Sequence, residues 1–108
     1  MSRFVADIGT LTIADGQTTS NALANCDDAD TIVIFAPTSL TGVVTLQVEP
    51  TVTGTNFVDL QSGGSDVTLG AGNSTHITSI GFRQIRVLSN ASEAAERLFS
   101  VTKQFPVR

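Results

Sequence analysis

Apolar and polar residues alternate with a period of two along most of this chain. The stretch 42–69 shows it best. There Val44, Leu46 and Val48 alternate with Thr45, Gln47 and Glu49, which predicts a strand with one face buried. Pro50 offers no N–H to a ladder and ends that strand. Val58 and Leu60 resume the alternation around Asp59. Ser62-Gly63-Gly64-Ser65 then turns the chain into Val67 and Leu69 around Thr68. The pattern predicts three short strands joined by two turns, the meander of a β-sandwich.

Strands are expected on both sides of that meander. Phe4, Val5 and Ile8 are apolar without a long rhythm, so residues 1–8 read as a short strand or an extended N-terminal arm. Leu11 and Ile13 share a face, and Asp15-Gly16 signals a turn. Residues 17–23 read as a polar edge strand, and 25–30, NCDDAD, as a loop. Ile32, Val33, Ile34 and Phe35 are consecutive, so both faces of that strand want cover, from the sheet or from a partner subunit. Residues 70–73 form a further turn. A Thr/Ser-rich strand with His76 follows at 74–80. The run 83–88 buries Ile85 and Val87 and shows Arg86 to water. Residues 92–97, SEAAER, are the one helical candidate: a single turn capped by Ser92 across the sandwich end. The chain closes as a strand with Phe99, Val101 and Phe105 on one face and Lys103 at its end.

Turn signals every ~8–12 residues between short strands predict an all-β, antiparallel sandwich. With 108 residues there is room for a single domain, 1–108. A jelly roll of about eight strands is the first choice of topology, and an immunoglobulin-like sandwich is the alternative.

Composition sharpens this picture. Charged residues are 15% of the chain, below the roughly 25% of an average soluble domain, and Ser and Thr make up roughly a quarter. The surface therefore takes its polarity from hydroxyls on strands. A net charge of −4 and a pI near 4.6 argue against nucleic acid, which needs a basic footprint. Residues 1–82 hold eight acids and one base, whereas 83–108 hold five bases and two acids. The basic part can pair with acidic loops of the same subunit or of a neighbouring copy. Phe4, Val5, Arg83, Arg86, Arg97 and Lys103 are accordingly the candidate assembly contacts. One cysteine, Cys26, allows no internal disulfide. No signal-peptide h-region and no membrane-length apolar run is present, so cytosolic synthesis and no membrane contact are expected.

Candidate chemistry is thin. His76 is the one histidine, and no Gly-x-Ser-x-Gly elbow frames a serine for it. One His and one Cys fall short of a zinc set. Asp27, Asp28 and Asp30, with Asp15 near, lack the spacing of a calcium loop and read as a solvated acidic loop. Cys26 has no basic neighbour to activate it and reads as a small buried residue. The chain has no Trp or Tyr to stack on a sugar, only six Phe. The expectation is a protein that is not an enzyme and carries no cofactor or metal.

The runs GVVTLQVEP, TNFVDLQSGG, DVTLGAG and GFRQIRVLS, within 42–89, resemble small bacteriophage virion proteins with jelly-roll sandwiches, in particular capsid decoration (cement) proteins. The likeness lies in strands and turns and transfers no functional residue. It implies a structural protein on the capsid surface of a virion assembled in the host cytoplasm. Its partners would be the major capsid protein and its own copies, as a dimer or trimer. A tail-associated or carbohydrate- or receptor-binding sandwich is the alternative. The physical case agrees: exposed strand edges aggregate unless covered, and a lattice of partners covers them.

Overall fold

The computed structural model describes residues 3–24, 26, 29–50, 56–78 and 80–106, and side chains within 9–104 of these. Among the described residues the structure has ten strands: β1 Arg3–Ile13, β2 Thr31–Phe35, β3 Val44–Glu49, β4 Val58–Asp59, β5 Gln61–Ser62, β6 Ser65–Asp66, β7 Thr68–Leu69, β8 Ser74–Thr78, β9 Gln84–Ser89 and β10 Arg97–Pro106. One sheet has the order β1-β10-β2-β8. In the second, β3 pairs with β9 on one side, and with β4 and β7 on the other. Residues 17–23 flank β9 through bridges from Thr19 to Leu88 and from Leu23 to Ile85. β4 to β7 form one hairpin, closed by β5 against β6.

Counting residues 17–23 and the hairpin as one strand each gives eight strands. Their chain order is 1-8-3-6 in the first sheet and 2-7-4-5 in the second. That interleaving is the jelly roll, because chain neighbours 1 and 2, 3 and 4, 5 and 6, and 7 and 8 lie in opposite sheets. An immunoglobulin sandwich would keep its first two strands in one sheet.

The core is where the alternation put it. Leu11, Ile13, Phe99, Val101, Ile32, Ile34 and Ile77 from the first sheet meet Val44, Leu46, Val48, Leu69, Ile85 and Val87 from the second. Burying each such side chain contributes about 1.5–3 kcal/mol, and this replaces the crosslink that one buried cysteine cannot make.

Two backbone positions fix the edges. The ladder of β1 on β10 shifts register between Asp7 and Gly9, a β-bulge. Gly9 sits there at φ 133°, and a Cβ on it would lie 3.1 Å from a Leu23 methyl. The bulge therefore seats Leu23 over β1 and brings the second sheet's edge onto the first. Gly42 is needed for closeness: a Cβ would lie 2.5 Å from Ser89 Oγ and 2.9 Å from the Ala91 nitrogen.

Several expectations change. Residues 92–97 form no helical turn; 92–96 are a loop leading into β10, which Arg97 opens. Alanine and glutamate are good helix formers, but propensity is a weak preference, and the tertiary bonds that Glu93 accepts override it. Phe35, expected to be covered, is 45% exposed, while Ile32, Val33 and Ile34 are buried. Residues 3–8 take the strand alternative, within β1. There Arg3 and Phe4 lie opposite Pro106 and Phe105, beyond the end of β2, whose last partner on β10 is Gln104. Pro106 is thus still within the ladder.

Candidate functional site

An open groove runs along one side of the sandwich, between the edge of β8 and the β4–β7 hairpin. Its volume is about 790 Å³, and Val48, Val58, Leu60, Val67, Ile77 and Phe82 supply its apolar wall. Val58 is 58% exposed there. Local sequence explains the opening. The hairpin departs from β3 after two pairs at each end, so its middle stands away from the sheet. Leu60 and Val67 tie it back, through backbone bonds to Leu46 of 2.9 Å.

The outer face of the β1-β10-β2-β8 sheet forms a second surface. Register places Thr12 beside Leu98. The next row holds Thr10, Ser100, Phe35 and Ser74, then Thr102, Val33 and His76, then Gln104, Thr31 and Thr78. Asp7 stands at the end of the third row by register. The described side chains of this face carry no carboxylate, ammonium or guanidinium. Leu98, 51% exposed, and Phe35 lie on a diagonal of neighbouring strands and make one apolar patch among hydroxyls.

The outer face of the other sheet is closed instead. Gln47 accepts a bond of 2.8 Å from Arg86 Nε and donates one of 2.9 Å to Asp59. The Arg86 guanidinium lies 4.3 Å above the Phe57 ring. Glu49, fully buried, accepts from Gln84 Nε2 at 2.8 Å and from the Asn56 N–H at 2.7 Å. These polar groups bind the chain after β3 onto the sheet.

Glu93 does the same at the sandwich end. Its buried carboxylate accepts from the Thr41 N–H at 2.8 Å, the Gly42 N–H at 3.0 Å, the Ser89 hydroxyl at 2.7 Å and Arg97 Nε at 2.8 Å. Burial pushes this carboxyl up. The bonds from Thr41, Ser89, Arg97 and Gly42 more than offset that and lower it from the ordinary 4.5 to about 2. Glu93 is therefore ionised at neutral pH, as a structural clamp.

The residues singled out from sequence do not gather into one site. Arg97 is turned inward on Glu93, a same-chain pair. Arg86, expected to face water, is half-buried on Phe57 and Gln47, because residues 56–59 fold over it. Arg83 is exposed next to Phe82, and Lys103 is half-buried on β10. Phe4 lies opposite Phe105 in the ladder beyond β2, and Val5 lies opposite Gln104, where β2 ends. His76 is exposed on β8 and makes no hydrogen bond to a described residue, so nothing orients it as a base. Cys26 is buried, with its thiol 3.7 Å from the Leu23 carbonyl. Asp27 and Asp28 fall outside the described residues. Among those described, no three His, Cys, Asp or Glu side chains could hold a metal together.

No protein-family model matches the chain, and no curated protein matches it. A solved structure from the work "Bacillus endospore appendages form a novel family of disulfide-linked pili" aligns with 98% of this chain and 93% of its own. The identity is 16% and the TM-score 0.43, a likeness too slight to say what this chain does.

Proposed function

We propose that this protein is a structural virion component that binds the outside of an assembled phage capsid and stabilises it. The observation that supports this reading is the outer face of the β1-β10-β2-β8 sheet, whose described side chains carry no charge and which exposes Phe35 and Leu98. Such a face gains by being covered, and its described side chains present no charge to desolvate. The buried polar residues support it from the other side. Glu93, Glu49, Gln47 and Arg86 serve to hold loops rigid, which keeps the face preorganised and lowers the entropic cost of docking. The partner in this reading is the major capsid protein, and the location is the capsid surface.

The test uses purified capsids and full-length protein. Wild type is expected to co-sediment with capsids and to raise their melting temperature, since a ligand specific for the assembled state stabilises it by mass action. The F35D/L98D variant is expected to fold and to lose both effects. Sedimentation with host cells or a glycan-array signal, with no capsid binding, would move the protein to the receptor-binding class.

A further inference from the structure

We infer that a second copy of this chain adds its own β8 to the open edge of the β1-β10-β2-β8 sheet, antiparallel and centred on His76, so that the dimer carries one eight-stranded sheet. Two copies related by a two-fold axis use the same edge twice, and the contact closes on itself.

The two edges of this sheet differ. At β1 the edge is capped: Thr12 N–H donates to Asn21 Oδ1 at 2.7 Å, and Asn21 Nδ2 donates to the Thr10 carbonyl at 3.2 Å. That side chain occupies the place of a neighbouring strand. At β8 no described hydrogen bond reaches the outer edge, and Ser74, His76 and Thr78 are exposed. Natural edge strands are blunted by lysine, proline or a bulge. Ser74–Thr78 has none of these, and its five pairs with β2 run without a register break.

The sequence of β8 is also complementary to itself. Centred on His76, an antiparallel pair sets Ser74 opposite Thr78 and His76 opposite His76 on the outer face. On the inner face it sets Thr75 opposite Ile77. No carboxylate, ammonium or guanidinium opposes another, and each pair keeps both side chains on the same face. The inner-face residues matter twice, because Thr75 and Ile77 border the groove. The second copy's β8 comes to lie along the β8 border of that groove, while each Ile77 stays in its own core. One partner therefore pairs the open edge and lies along the border of the apolar groove.

Self-pairing does not depend on what the protein decorates, and its test needs no capsid. Sedimentation equilibrium of the full chain at neutral pH should show a monomer–dimer equilibrium. H76K or H76E puts like charges opposite each other and should weaken the dimer by about fivefold or more, with circular dichroism unchanged. An equimolar mixture of the two should restore it as a heterodimer. Under mild oxidation H76C should crosslink to its own counterpart, since opposed strand residues sit within disulfide reach. T78C, opposite Ser74, should not, and Cys26 is buried out of the way. A wild type that stays monomeric at high concentration would overturn the proposal. So would dimers indifferent to H76K, T78C crosslinking as fast as H76C, or species that keep growing with concentration. Dimerisation lost in F35D/L98D but kept in H76K would place the contact on the sheet face instead.

Discussion

The Glu93 end and the β8 edge of the same sandwich treat unpaired backbone in opposite ways. At the Glu93 end, the N–H groups of Thr41 and Gly42 belong to a loop and could be left to water. Instead a buried, ionised carboxylate holds both, and Arg97 balances its charge. At β8, the outer backbone of a regular strand is left without a described partner. The first region invests a buried charge in rigidity and the second leaves a ready template exposed. That contrast teaches where to look for function: on the surface the fold has not already satisfied.

Removing the clamp should have the largest effect. Glu93→Ala leaves Arg97 half-buried without its carboxylate and is expected to destabilise the fold by about 3–5 kcal/mol, read from urea denaturation. The same group sets an acid limit. Its folded value is depressed, so its contribution is fully present above the ordinary value of 4.5 and is lost as pH falls towards about 2. That loss amounts to about 3 kcal/mol by linkage. Glu93→Gln should flatten stability between those two pH values; an unchanged slope would mean that other carboxyls carry the acid transition.

Gly42→Ala tests the same region more gently. Its Cβ meets Ser89, Asn90 and the Ala91 backbone, and a cost of about 1–3 kcal/mol is expected in thermal melts. Asn21→Ala uncaps the β1 edge. The expected loss is about 1 kcal/mol, accompanied by aggregation in light scattering that wild type does not show. Smallest of all, Val58→Ser should change monomer stability by no more than about 0.5 kcal/mol, because the side chain is already exposed. A larger loss in dilute protein would mean that the groove is closed within one chain.

Much of this architecture was legible in the alternation. Leu11 and Ile13, Val44 to Val48, Ile85 and Val87, and Phe99 and Val101 all face the core, as period-two reading predicts. The edge placement of residues 17–23 was also readable, from their polarity. Polar positions misled where the chain folds back over its own sheet. Gln47 and Glu49 alternate like a solvent face, yet both are buried, since residues 56–59 and Gln84 cover them. Arg86 is drawn in by the same cover. Glu93 was hidden for a different reason: its partners Thr41 and Gly42 lie 52 and 51 residues away, and local propensity carries no signal from that distance. The hydroxyl-rich sheet face was present in the sequence as scattered Thr and Ser, and only strand order assembles it.

Amide hydrogen exchange, followed residue by residue at two protein concentrations, tests the contrast most directly. Gly42 N–H should be strongly protected at both. The β8 amides that face away from β2 should exchange quickly in dilute protein and slow down in concentrated protein. Edge amides of β8 as protected in dilute protein as Gly42 would contradict the account, because the edge would then already be satisfied within one chain.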